Sequence, residues 1–206
     1  MNNNEVKNSG TTRSFGENGA HRDGGVKGLP TDAPLLITAN LKKVKMPDGT
    51  YIPDPFHMNI GMFQRTKDSK YLYEALYGTM LTVPEFKYEN VVKKMAEMDM
   101  PLADADVIFE NDPEGKEEHK RQVVMSYMML EVAYLYEAGG NKYGRNNWRK
   151  GMPIDVYLCS AIRHYEKAVM RCIDEPHYRA IVWNILGALW TIDNKPEALE
   201  EFEIVI

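Results

Sequence analysis

Cysteine is scarce in this chain of 206 residues: only Cys159 and Cys172 occur. They show no Cys-x-x-Cys spacing, which argues against a zinc site or a redox pair and leaves two buried, reduced thiols as the expectation. Long apolar runs are missing too. No stretch approaches the roughly 18 consecutive apolar residues of a membrane helix, so no membrane partner is expected. The opening MNNNEVKNSGTTRSFGENGAHRDGG contains no apolar core of a secretory signal, so the cytoplasm is the expected compartment. A basic surplus is absent as well: 25 Lys and Arg stand against 30 Asp and Glu, for a net charge of -5. That balance argues against a nucleic-acid partner. What remains is ordinary for a globular chain, 44% hydrophobic and 27% charged, enough for one domain or one domain with a large insertion.

Three segments follow from the pattern. Residues 1–36 form an arm rich in Asn, Gly, Ser and Thr, which cannot bury enough surface to offset its ordering entropy. Residues 37–118 mix short apolar runs with breakers. In them the Pro-Asp-Gly between Met46 and Thr50 permits a hairpin, and KYLYEALYGTML reads as a short helix. A further helix, PEFKYENVVKKMAEM, has Thr82 as its expected cap, and 99–118 reads as an acidic, solvated linker with a DPEG turn. Residues 119–206 carry the strongest helical signal. Val124, Met128, Val132 and Leu135 share one helical face, and Gly139 and Gly140 are expected to stop that helix. Pro153 opens a second helix to about residue 173, Asp174 caps a third, and Asn194 caps a short last one. Long helices joined by short loops predict a mainly α fold, an antiparallel bundle in the C-terminal part.

Polar groups interrupt this apolar pattern at a few places. Asp174, His177 and Asn184 share a face of the third helix, which is otherwise apolar almost all round. Buried there, His177 and Asn184 need partners, because each unpaired polar group costs about 1–3 kcal/mol. Either is also readable as a satisfied core residue. His164 lies on the second helix, and Glu131 and Glu137 lie on the first. Facing helices can gather Glu, Asp and His around a divalent cation, although each charge can equally face solvent. The loop from Asn141 to Gly151 interleaves Lys142, Arg145, Arg149 and Lys150 with Tyr143, Trp148 and three asparagines. Cations pair with phosphates, ring faces stack on bases and amides read base edges. A solvated basic loop with a tucked tryptophan has the same composition.

The run YEAGGNKYGRNNWRKGMPIDVYLCSAIRHY, followed by DEPHYRAIVWNILGALW, resembles a phage and bacterial family of all-α nucleotide pyrophosphohydrolases, the dATP/dGTP diphosphohydrolases, related in fold to MazG. The shared pattern falls on Glu137, Gly139, Lys142, Tyr143, Gly144, Asn147, Trp148, Lys150 and Gly151. It continues through Arg163, His164, Asp174, Glu175, His177, Trp183 and Asn184. The segment GENGAHRDGGVKGLPTDAPLL is similar to the family's opening. The resemblance covers roughly 17–36 and 131–191, so the intervening residues look like an insertion. Gly140 stands where the family usually has alanine. Pro176 stands where it has an acidic residue, which removes one possible metal ligand.

The resemblance implies a MazG-like antiparallel helical bundle with an irregular N-terminal arm and an inserted segment. It also implies cleavage of a purine deoxynucleoside triphosphate, dATP or dGTP, to the monophosphate and pyrophosphate, with Mg²⁺ or Mn²⁺. Glu137, Asp174 and Glu175 are the implied metal ligands, and Glu137, His164 and His177 the implied catalytic groups. Lys142, Tyr143, Arg145, Asn147, Trp148, Lys150 and Asn184 would bind substrate, joined by Arg22, Lys27 and Asp32 from the arm. A homo-oligomer is expected, in a host cytoplasm if the chain is phage-encoded. The alternative is an inactive nucleotide-binding or assembly module on the same fold.

Overall fold

A computed structural model describes residues 39–46, 48–200 and 202. The arm over 1–36, with Arg22, Lys27 and Asp32, lies outside the described residues. The fold is mainly α. Its small hairpin pairs β1 (Lys43–Lys45) antiparallel with β2 (Tyr51–Pro53), Val44 opposite Ile52. Gly49 takes φ 87° in the connecting turn, which a side chain would resist.

The sequence reading gave residues 55–66 no helix, yet they form α1 (Pro55–Thr66). The start signal is Asp54, whose carboxylate accepts from the backbone N–H groups of Phe56 (3.0 Å) and His57 (3.2 Å). Pro55 fills the first turn, where its missing N–H costs nothing. The expected helix over 70–81 is α2 (Lys70–Thr82). Thr82 closes this helix rather than capping the next one. Pro84 disfavours a helical conformation at Val83, and a 3₁₀ turn (Pro84–Phe86) precedes α3 (Tyr88–Glu97). The start of α1 lies on α2 at Gly78, where an added Cβ would sit 2.8 Å from the Phe56 backbone nitrogen.

The acidic stretch is less loop-like than its composition predicts. It holds α4 (Ala105–Ile108), capped by Asp104, and the start of α5 (Pro113–Tyr143). The DPEG sequence is a helix start rather than a turn, because Asp112 accepts from the Gly115 N–H at 2.9 Å and Pro113 takes the first position. At the other end Gly139 and Gly140 do not stop the helix. Each costs about 1 kcal/mol against alanine, too little to break a helix held by its other turns. Gly144, with φ 91°, ends it.

After a 3₁₀ turn (Asn147–Lys150) comes α6 (Ile154–Val169), which stops short of the expected residue 173 because Arg171 turns left-handed at φ 60°. Cys172 therefore lies beyond the helix and is half-buried, while Cys159 is buried; neither forms a disulfide among the described residues. α7 (His177–Asn194) begins after Pro176, with Asp174 engaged elsewhere, and Asn194 belongs to α7 rather than capping α8 (Glu197–Glu200).

α7 is the central helix, packed against α5, α6 and α2. It lies tight against α6 at Gly187, where an added Cβ would meet the buried Tyr157 ring at 2.4 Å. Phe56 of α1 stacks on Tyr165 of α6 with ring centroids 4.0 Å apart. Phe63 and Leu72 join the same buried apolar cluster as Val132, Leu158, Ile181 and Ile185, so α1, α2 and the later helices share one core. Among the described residues no helix is long and apolar enough to cross a membrane.

Candidate active site

A cleft of about 420 Å³ opens between the end of α5, the loop after it, α6 and α7. That is within the range of small-molecule sites. Aromatic rings form much of it. Tyr136 meets Trp148 edge-on at 5.3 Å, Trp148 meets Trp190 at 5.1 Å, and Trp183 lies 5.9 Å from Tyr157. Lys142 sits at the rim with its Nζ 4.7 Å from the centre of the Tyr143 ring. Asn147 and Asn184 also line the space; Asn184 is buried and its amide donates to the Ala180 carbonyl at 2.6 Å. A larger hollow of about 610 Å³, beside Lys93, Arg171 and Tyr178, gathers no histidine and none of the expected residues.

His164 and Glu175 also line the cleft, with His177 beside them. His164 Nδ1 and His177 Nδ1 are 3.0 Å apart, and Glu175 Oε1 lies 3.3 Å from each. Both imidazoles are buried, whereas the Glu175 side chain is half exposed. Local backbone geometry makes this approach possible. Pro176 sits at φ -75° and ψ 77°, and the His177 N–H donates to the Glu175 carbonyl at 2.9 Å, the form of an inverse γ-turn. The tight turn folds Glu175 back beside the first residue of α7. On its other side His177 Nε2 meets Asp174 Oδ1 at 2.8 Å, and Lys167 donates to the second Asp174 oxygen at 2.6 Å. The Lys167 and His177 bonds hold the Asp174 carboxyl well below the usual range.

Residues 110–201 match the family model described as dATP/dGTP diphosphohydrolase, N-terminal. This stretch is similar to the N-terminal segment of that family. No curated protein and no solved structure matches the chain. The matched stretch runs from the acidic segment through α8 and contains every residue that lines the cleft.

The family segment does not bring all the expected residues together. Lys142, Tyr143, Asn147, Trp148, His164, Glu175 and Asn184 line the cleft, with His177 and Asp174 directly behind it. Arg145 and Lys150 are exposed on the same loop and outside the lining. Glu137 faces outward on the exposed stripe of α5 that carries Leu130, Tyr134 and Asn141. The three carboxylates expected to hold Mg²⁺ or Mn²⁺ thus do not converge. The donors that do converge are two imidazole nitrogens and one carboxylate oxygen, which is not the oxygen shell that Mg²⁺ takes.

Sequence reasoning gave no site role to Tyr136, Tyr157 or Trp183, all cleft residues. Tyr136 was legible in its spacing from Gly139 and Tyr143, at three and seven residues, on one helical face. It also missed a polar network that anchors α1 to α6. Tyr165 donates to Asp54 at 2.9 Å, His57 Nε2 lies 2.7 Å from Glu166, and Lys42 pairs with the same carboxylate. His57 Nδ1 is 3.3 Å from Asp54, close enough for ion pairing but not aligned as a hydrogen bond. Glu131, buried in the middle of α5, pairs with Arg179, whose guanidinium stacks over Tyr134 and Tyr178. That pairing answers the alternatives left for Glu131: it is a structural ion pair.

Proposed function

We propose that the chain hydrolyses a purine deoxynucleoside triphosphate, dATP or dGTP, to the monophosphate and pyrophosphate in this cleft. One observation carries the reading: aromatic rings and two members of an acid–imidazole cluster, His164 and Glu175, line one cleft inside the family-matched segment. Trp148, Trp183 and Tyr143 offer ring faces to a purine, and the Asn147 and Asn184 amides stand near enough to orient it. Lys142 meets phosphate charge at the rim, and Arg145 and Lys150 on the exposed side of the loop add positive potential to the approach. His164, Glu175 and His177 take the phosphate end. A divalent cation bound there would neutralise phosphate charge and make a bound water acidic enough to attack.

The deciding assay follows pyrophosphate and monophosphate from each common dNTP and NTP, with added divalent cation and with EDTA. Metal-dependent cleavage of dATP or dGTP, lost in Glu175→Gln, is the expected result. A folded protein that quenches tryptophan fluorescence on nucleotide addition but turns nothing over would instead establish the second reading, an inactive nucleotide-binding module. The outward position of Glu137 favours that second reading. The exposed Met129, Leu130 and Tyr134 on α5 support a homo-oligomer, which light scattering would report as a mass of at least two chains; a monomer mass would reject it.

A further inference from the structure

His164 Nδ1, His177 Nδ1 and Glu175 Oε1 form a triangle with sides of 3.0, 3.3 and 3.3 Å. Without a cation, a proton on His164 Nδ1, whose Nε2 faces the Arg163 guanidinium at 3.4 Å, accounts for the shortest side alone; a bound cation takes that proton's place. All three sides match the separation of neighbouring ligands around one cation: donors about 2.0–2.2 Å from a metal, at tetrahedral or octahedral angles, lie about 3.0–3.5 Å apart. A second observation points the same way. His177 Nε2 faces Asp174 at 2.8 Å, so that nitrogen carries the proton and Nδ1 turns its lone pair into the triangle. A carboxylate behind a histidine, itself fixed by a lysine, is how ligating imidazoles are oriented and made more basic. Two ligands are buried and the third is half exposed toward the cleft, which leaves coordination positions open on the cleft side.

We propose that His164, His177 and Glu175 hold a nitrogen-preferring divalent cation of the Zn²⁺ class, with Asp174 positioning the His177 ring. Two imidazoles and one carboxylate suit Zn²⁺ or Co²⁺ ahead of Mn²⁺, and Mn²⁺ ahead of Mg²⁺, which keeps an oxygen shell. The γ-turn at Pro176 sets Glu175 against both imidazoles. The proposal rests on the nucleotide-cleft reading for what the cation faces, and its test uses no nucleotide.

The metal-free full chain is titrated with Zn²⁺, Mn²⁺ and Mg²⁺ by calorimetry, and with Co²⁺ by visible absorption. The expected result is one Zn²⁺ per chain, affinity in the order Zn²⁺, Mn²⁺, Mg²⁺, and a Co²⁺ spectrum of a nitrogen- and oxygen-ligated ion. Asp174→Asn lowers Zn²⁺ affinity by about 10–100-fold, and His177→Ala by at least as much. Glu175→Gln, at a half-exposed position, removes a ligand without opening the core; its unchanged circular dichroism controls for folding. Zn²⁺ affinity unaltered in both Glu175→Gln and His177→Ala overturns the proposal, as does Mg²⁺ binding as tightly as Zn²⁺. Tight Zn²⁺ binding by a protein that cleaves no nucleotide upholds the metal site and rejects only the catalytic reading.

Discussion

His57 shows how one side chain can tie the fold to pH. Burial alone disfavours its charged form, but the Asp54 and Glu166 carboxylates outweigh that penalty and hold its pKa above the ordinary imidazole value of 6.5. Glu166 is held down to about 2, chiefly by its bond to His57 and against burial. A raised folded-state pKa contributes stability that is complete below pH 6.5 and drains away as pH climbs through the folded value. The carboxylates work oppositely: their contribution is complete above about pH 4.5 and is lost as pH falls toward 2. Urea unfolding midpoints of the wild-type chain should therefore decline from pH 6 into the alkaline range, with a shallower decline in His57→Gln. Equal slopes in the two proteins would remove His57 as the cause.

Elements with strong periodicity were legible in the sequence, and their ends were not. α2, the body of α5, α6 and α7 all follow from apolar spacing, and so does the central place of α7. The misread boundaries share a cause: one residue type serves at both ends of a helix. Asp112-Pro113 and Asp54-Pro55 are start signals that look like turns in isolation, and α1 went unseen for that reason. Gly139 and Gly140 look like stop signals, but only Gly144 takes the left-handed φ that a stop needs. The cleft end of the site was legible too, because Lys142, Tyr143, Asn147 and Trp148 fall within one short loop and helix end. What could not be read was the direction of Glu137 and the pairing of His164 with His177. The first depends on how α5 rolls against α7, and the second joins residues on two helices through a γ-turn at Pro176.

At the scale of the molecule, the family segment begins at residue 110, but the core does not. Phe56, Phe63 and Leu72 are fully buried, the first two against Tyr165 and Phe202, and each contributes about 1.5–3 kcal/mol of apolar burial. A fragment of residues 110–206 would expose the partners of all three and strand Glu166 without His57. It should lack a cooperative thermal transition that the full chain shows; a sharp melt with native helicity would mean that the earlier residues are an accessory layer. The two glycines inside α5 have a different consequence. They thin the helix where it borders the cleft, and a Cβ at either would touch nothing, so no packing demands them. Two alanines there would hold about 2 kcal/mol more helix. The last turns of α5 should therefore be the first part of that helix to open locally, their amide protons exchanging with solvent before those around Glu131.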